Sequence, residues 1–402
     1  MARRRKPCRD WSTGLPPELL GLVLHNLPCL IDRVYFACVC RAWRSAAKDE
    51  APPRQLPWLV MPSPGKTSFF AQQTGCTHHL RLPEGIRGAR LCGSHDGGWV
   101  AAAGEAWGGY AAVNIISGVQ VPLPNRISFF HPFTVRGNGC RCKHPMLLRT
   151  VTFSAAPTSA NCIAAAHIAS VCNIAFCRPG MDEHWLTLSQ ELRAIEDIIY
   201  CRSLPQQGFY ALRDTEDLVV YAAANAVAIS NKSTPLVMSF VHHRFEKRVD
   251  YSLNRPGSSV SRYLVESRGK LLMVLREYSM RAMKRCTRVF RIFEMAEALP
   301  HGQAKASWVE LHELQGRALF LGRGSSRAVE VSQFSGLQEG VIYYLDDACF
   351  DISLVVGSGG KFSSSDMGLY SMAMNKRLTR GEAGRFPRRF ASECSPPLWL
   401  PI

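Results

Sequence analysis

The stretch WSTGLPPELLGLVLHNLPCLIDRVYFACVCRAWRSAAKDE (residues 11–50) decides how the rest of the chain is read, because it alone carries sustained helical periodicity. Pro16 and Pro17 suit a first helical turn, where a missing N–H is no loss. Leu19, Val23 and Leu27 fall at i, i+4 and i+8, and Leu20 and Leu24 form a neighbouring row. Pro28 ends that helix. Asp32 is expected to cap the next one, along which Val34, Cys38 and Ala42 make one row and Val39, Trp43 and Ala46 another. The segment therefore reads as a helical hairpin or triplet. At about 40 residues it lies near the lower limit for folding without metals, disulfides or a partner. Its apolar rows are also wider than one internal face requires, so it is expected to dock onto something.

Downstream the pattern changes. Residues 51–66, APPRQLPWLVMPSPGK, hold five prolines and read as a linker running into a first strand around Trp58 to Met61. Beyond them helical periodicity nearly vanishes. Brief helical patterns near Gln190–Ala194 and Met295–Leu299 read as turns between strands. Short apolar or alternating runs recur between Gly, Pro, Ser and Asn breaks: GWVAAA, YAAVNII, LLRTVTF, CIAAAHI, HWLTL, DLVVYAA, PLVMSF, RYLVES, KLLMVL, RVFRIF, SWVELHEL, ALFLG, GVIYYLDD and GLYSMAM. Many short strands with turn signals argue a sandwich, barrel or propeller. One sandwich does not use the ~340 residues available, whereas four-stranded blades of ~40–50 residues do. There is no repeated Trp-Asp pair and no regular double-glycine register, so the expectation is a degenerate propeller of open blade count. A strand at Trp399–Ile402 is expected to pair with Leu56–Met61 and close the ring, removing exposed edges.

The 402 residues carry a formal charge of +16, and the excess is local. Residues 1–60 are net +5, residues 262–291 net +7 and residues 376–389 net +5, while the remainder balances to within one charge. Broad nucleic-acid-binding fields are not distributed in this way. Fifteen cysteines without regular spacing are too few for a disulfide scaffold. Pro and Glu stand where a secretory signal would be apolar, so free thiols in a reducing compartment, nucleus and/or cytoplasm, are expected. Arg3–Lys6 reads equally as an import signal or as a solvated tail. The longest uncharged run, Thr150 to Cys177, is too polar for a membrane span, so no membrane partner is expected.

The segment ending in Val39-Cys40-Arg41-Ala42-Trp43-Arg44 resembles an F-box, with its opening Leu-Pro, leucine-rich first helix, second Leu-Pro and Asp. The rest of the chain resembles the plant F-box proteins, abundant in grasses, that carry a C-terminal KIB-type β-propeller. The resemblance rests on GSHDGGW (93–99), VNIISGVQVPLP (113–124), GFYAL (208–212), RYLVESRGKLLMVLRE (262–277), TRVFRIFE (287–294), WVELHELQGRALFLGRGSS (308–326), GVIYYLDD (340–347), DMGLY (366–370) and the terminal WLPI. Val113-Asn114-Ile115-Ile116 departs from the family in lacking its usual proline, and the basic run 376–389 has no counterpart.

The resemblance implies a mainly β chain divided into a basic tail (1–10), an F-box (11–50), a proline-rich linker with first strand (51–66) and a propeller (67–402). It implies a non-enzymatic, substrate-recruiting subunit of a Skp–cullin–F-box ubiquitin ligase. The F-box would bind a Skp-type adaptor, and through it a cullin, while the propeller presents an unidentified target. Leu15, Pro16, Leu19, Leu20, Leu24, Leu27, Val39 and Trp43 would supply the adaptor-binding surface, unless they pack against the propeller instead. Two rivals stand beside this reading. One is a basic propeller that binds nucleic acid or another anion. The other is an F-box protein that sequesters a partner without ligase activity.

Other chemistry finds no support. Cys140-Arg-Cys142-Lys-His144 lacks a second half for tetrahedral zinc, as does Cys76-Thr77-His78-His79, so no metal is assigned. In Gly357-Ser-Gly-Gly-Lys361 the first P-loop glycine would fall at Val355, and Phe362 stands where Ser or Thr must coordinate magnesium. Gly322-Arg-Gly324-Ser-Ser-Arg327 lacks the third glycine of a dinucleotide site and reads as a turn. The adjacent acidic pairs Glu196-Asp197, Glu216-Asp217 and Asp346-Asp347 point to opposite faces of a strand. No catalytic residues and no cofactor are assigned. Trp58, Trp99, Trp185 and Trp308 are expected in the core, and Arg276–Arg291 is expected as a loop between strands.

Overall fold

The computed structural model describes residues 15–49, 54–83, 85–104, 109–131, 140–145, 148–168, 174–187, 195–224, 236–245, 258–281, 284–296, 306–346 and 362–402. Residues 1–14, Gln190–Ala194 and Gly357–Lys361 lie outside them.

Three helices come first: α1 (Pro17–His25), α2 (Leu30–Cys38) and α3 (Arg41–Asp49). Pro17 opens α1 in its first turn, as the sequence predicts. Asp32 does not cap α2. Cys29 holds that position in an extended conformation, and Asp32 sits in the first turn, where a carboxylate favours the positive end of the helix dipole. The long second pattern breaks after Cys38, which gives the triplet form. Leu20, Leu24, Phe36 and Ala46 form the module's small core.

Six blades come next. Blade A combines β1 (Trp58–Met61), β2 (Ser68–Ala71) and β3 (Cys76–His78) with the last strand of the chain. Blade B is β4 (Arg90–His95), β5 (Trp99–Gly104), β6 (Gly109–Asn114) and β7 (Gln120–Leu123). Blade C has six strands, β8 (Arg126–His131), β9 (Cys140–Pro145), β10 (Leu148–Phe153), β11 (Ala164–Ile168), β12 (Ile174–Cys177) and β13 (Trp185–Leu186), with β8 added parallel to β13. Blade D is β14 (Ile195–Cys201), β15 (Gly208–Arg213), β16 (Leu218–Ala223) and β17 (Met238–His243). Blade E is β18 (Ser258–Ser267), β19 (Lys270–Arg281), β20 (Lys284–Ala296) and β21 (Ser307–Leu311). Blade F is β22 (Arg317–Leu321), β23 (Arg327–Glu330), β24 (Val341–Tyr344), β26 (Gly368–Ser371) and β27 (Lys376–Arg377). A separate ribbon pairs β25 (Phe362–Ser364) with β28 (Phe390–Ser392). All fourteen quoted runs fall on strands.

The ring closes as predicted. The last strand, β29 (Leu398–Leu400), pairs antiparallel with β1, setting Trp58 opposite Leu400 and Val60 opposite Leu398. Further bonds lock it: Ser94 Oγ donates to the Trp399 carbonyl at 2.7 Å, and the Trp399 indole donates to the Leu321 carbonyl at 3.0 Å. Six apolar clusters fill the spaces between blades A and B, B and C, C and D, D and E, E and F, and F and A. Trp58, Trp99 and Trp185 are buried in them. Trp308 is half-buried, stacked on Phe245 at 4.8 Å.

Two further expectations are overturned. Arg276–Arg291 is not a loop: apart from residues 282–283, which are not described, it belongs to β19 and β20. Arg276 breaks the apolar pattern of β19 yet is fully buried, because the buried carboxylate of Asp366 lies 2.9 Å from its guanidinium. A two-residue turn, Arg268-Gly269, joins β18 to β19 with both residues at positive φ (53° and 67°), the backbone that matches strand twist. Met295 and Ala296, predicted in a helical turn, end β20.

The missing family proline at Ile115 has a structural substitute. The Asn114 carboxamide oxygen accepts the Ile116 and Ser117 amides at 3.0 and 2.8 Å, and its nitrogen donates to the Gly97 carbonyl at 2.8 Å. A single side chain thus braces the turn.

Candidate adaptor-docking surface

The helical module separates its apolar residues into two populations. Leu20 and Leu24 face inward with Phe36, and Leu15, Leu27 and Trp43 pack half-buried around them. The Phe36 and Trp43 rings meet at 4.5 Å. Leu19, Leu22 and Val23 of α1 are 46%, 60% and 41% exposed, and Val34, Tyr35 and Val39 are 49%, 67% and 55% exposed. Pro16 is exposed too, while its carbonyl accepts the Leu19 and Leu20 amides that start α1.

Of the eight residues assigned from the sequence, the structure thus places Pro16, Leu19 and Val39 at the surface. Leu20 and Leu24 are internal, and Leu15, Leu27 and Trp43 bridge core and surface. Leu22, Val23, Val34 and Tyr35 were not assigned, although Leu19, Leu22 and Val23 fall at i, i+3 and i+4, the spacing of a helical stripe. That signal was hidden by the stronger row through Leu20 and Leu24. Exposed apolar residues are ordinary when scattered singly, but a cluster on so small a module marks a docking face.

The module is not suspended freely from the propeller. Cys29, Leu30 and Ile31 pack into the cluster between blades A and B. The Cys29 thiol lies 3.2 Å from His78 Nε2, and the His78 ring stacks on Trp58 at 5.4 Å. Burial raises the Cys29 thiol pKa. Arg33 is buried beneath the α1–α2 turn and donates to the Leu27 carbonyl at 2.7 Å. The joint uses the start of α2 and leaves the exposed residues uncovered.

At the axis, a cavity of about 640 Å³ opens where the innermost strands β4, β10, β14 and β18 finish. Its floor is the turn at Gly324–Ser326, which reaches from blade F across to Thr150 of blade C, opposite. Arg323 on the same turn donates to the Arg262 carbonyl and to Glu196. This is the glycine-rich turn of the sequence, and it lines the cavity. The wall charges are satisfied internally: Arg327 pairs with Asp96 at 2.6 Å, and Arg268 with Glu330 at 2.6 Å. His95 beside them is kept neutral, its pKa lowered to about 4 by burial.

Of the acidic pairs, Asp347 lies outside the described residues, and the carboxylates that follow make structural bonds. Asp197 accepts the Ile198 and Leu264 amides, stitching blade D to blade E. Glu216 is buried against Arg262 at 3.3 Å. Among the described residues no group of three His, Cys, Asp or Glu side chains is placed to hold a metal. The side chains of Cys140, Cys142 and His144 lie outside the described set. The described cysteines are free thiols, and among the described residues no helix is long and apolar enough to cross a membrane.

Three helices that carry an unpartnered apolar surface, mounted on a six-bladed propeller, define an F-box adaptor-type protein. The chain belongs to the KIB1-4 beta-propeller family, whose model matches residues 68–371, and an F-box-like model matches residues 13–51. It is a plant-type F-box protein with a C-terminal KIB-type propeller. The F-box/kelch-repeat protein At3g18720 of Arabidopsis thaliana is 25% identical over 241 residues, which are 54% of this chain and 57% of that protein. The F-box protein SKIP23 of Arabidopsis thaliana is 42% identical over 62 residues, 15% of this chain and 14% of that one. The chain thus matches little more than half the length of the first relative. The crystal structure of Citrobacter koseri AztD aligns over 84% of this chain and 97% of its own, at 9% identity and a TM-score of 0.26, too loose to carry an argument. An F-box is in general a module that binds a Skp-type adaptor, and proteins of this build are typically non-enzymatic adaptors.

Proposed function

We propose that this chain is the target-recruiting subunit of a Skp–cullin–F-box ubiquitin ligase. On this reading the helical module binds a Skp-type adaptor, and through it a cullin, while the propeller binds the protein to be ubiquitinated. One observation carries it. Leu19, Leu22, Val23, Val34, Tyr35 and Val39 stay exposed although the module has its own core and its own joint to blade A. Complex formation would bury them, as in obligate interfaces.

The test separates docking from folding. Leu22→Asp and Val39→Asp change only exposed positions, so thermal unfolding should stay near that of the parent. Capture of a recombinant Skp-type adaptor should fall at least about tenfold, because each places a charge in an apolar interface. Leu20→Ala instead removes a core leucine, costing ~2–5 kcal/mol, and should lower stability and capture together. Undiminished capture by the Leu22→Asp, Val39→Asp double variant removes the docking face from the reading. Loss of a bound target that depends on ubiquitin transfer then distinguishes ligase action from sequestration.

A further inference from the structure

Two of the three basic segments, far apart in sequence, meet in space. Strand β20 of blade E packs beside β27 of blade F, and Asp366 pins them. Its Oδ2 takes the Arg276 guanidinium at 2.9 Å and the Thr287 amide and hydroxyl at 2.8 and 2.7 Å. Its Oδ1 takes Arg377 at 2.9 Å. The rest of the second segment is anchored from below. Leu378, Ala383 and Phe386 are buried between blades F and A, and Arg388 donates to the Leu378 carbonyl. The segment then returns as β28, paired with β25 just ahead of Asp366.

This anchoring leaves Arg288, Arg380, Arg385 and Arg389 exposed and Arg285 half-exposed over the Tyr278 ring at 4.6 Å. None of the five has a carboxylate partner among the described residues. The local Glu382 is already taken by Lys376 and the Thr379 amide. On the same two blades Arg268, Arg291 and Arg327 are each paired with Glu or Asp. The five stand on β20 and on the segment 378–389, backbone that the core holds in place.

We propose that this basic surface of blades E and F docks an acidic segment of a protein partner. Guanidinium groups recognise carboxylates bidentately, and a preordered basic patch steers an acidic partner toward itself. Single-stranded nucleic acid would need aromatic platforms as well. The exposed aromatic side chains of the described residues, Tyr35 and Phe240, lie on α2 and on blade D instead. The inference deepens the reading of the propeller as the target-binding half, and it does not depend on the helical docking face.

The experiment uses the full chain and a fluorescein-labelled oligoglutamate, read by fluorescence anisotropy at moderate salt. A labelled oligouridine of matched charge runs beside it. The parent should bind the oligoglutamate saturably and more tightly than the RNA. Arg285→Glu with Arg288→Glu, or Arg380→Glu with Arg385→Glu, should each weaken binding at least about tenfold. The neutral pair Arg288→Gln, Arg385→Gln should give a smaller loss in the same direction with unchanged melting. Reversal of Arg81 and Arg87, exposed on the segment whose Leu82 and Ile86 pack between blades A and B, should leave binding intact. Absence of oligoglutamate binding, insensitivity to the blade E and F reversals, or tighter binding of the RNA overturns the proposal. Adaptor capture is measured on the same samples. Lost oligoglutamate binding with capture intact defeats this inference alone, and lost capture with oligoglutamate binding intact defeats only the docking reading.

Discussion

Replacing Asp366 by alanine removes a carboxylate that is fully buried and serves four donors at once, on Arg276, Thr287 (two) and Arg377. Arg276 would keep the Tyr263 hydroxyl and the Leu345 and Asp366 carbonyls as acceptors, and its position 4.8 Å from the Tyr344 ring. It would lose the Asp366 carboxylate that faces it at zero exposure. Removing one partner of such a pair costs ~3–5 kcal/mol. The orphaned Thr287 amide falls within the same loss, at ~1–3 kcal/mol. Arg377, about one-third exposed, can turn to water and adds little. Urea unfolding followed by tryptophan fluorescence should therefore show a lower midpoint with an unchanged slope. The double variant Asp366→Ala, Arg276→Met takes both charges away and should recover much of the loss. A single variant within about 1 kcal/mol of the parent, read from that midpoint and slope, or a double variant worse than both singles combined, would refute the argument. The pH dependence has a fixed sign. Burial opposes ionisation of Asp366, but Arg276, Thr287 and Arg377 outweigh it and hold its pKa below the usual carboxylate value. Its contribution is present above the unfolded pKa of ~3.9 and is lost as pH falls through the lower folded value.

Two further outcomes concern the ring. A Cβ at Gly93 would lie 2.0 Å from the Val151 carbonyl oxygen, so Gly93→Ala must push blades B and C apart and should cost roughly 3 kcal/mol, read as a lower urea midpoint. His167 is buried, and that burial, with Arg149 and Arg323 nearby, lowers its pKa to about 3. Stability from this site should be full above the unfolded pKa of ~6.5 and decline as pH falls toward 3, and His167→Phe should flatten that part of the profile.

The propeller was legible because most strands in blades B to F are apolar runs set off by glycine and proline, as in GWVAAA or GVIYYLDD. The closing strand was legible because WLPI is wholly apolar and needs a partner. The features that escaped are written in polar residues. Strands β3 and β27 are two or three residues of Cys, Thr, His, Lys and Arg, too short for any period to show. The hairpin of β19 and β20 was mistaken for a loop because Arg276 looks solvated until Asp366, ninety positions away, is placed beside it. The helical module was legible as a unit, but the division between its core and its surface was not. Leu19 and Leu20 are equivalent in composition and differ only in which side of α1 meets Phe36 and Ala46.

The pairing of β29 with β1 sets an order of events during synthesis. Trp58–Met61 leaves the ribosome long before Leu398–Leu400 exists to cover its inner edge. For most of translation the first blade is one strand short, and five finished blades would wait on three residues. Domains generally fold from the N-terminus as they emerge, and the helical module is free to do so. The ring is not, because its last contact spans nearly the whole propeller sequence, the slowest kind to form. A chain that stalls before Leu398 would present competent helices beside an open sheet edge, the state in which unpaired strands recruit other chains.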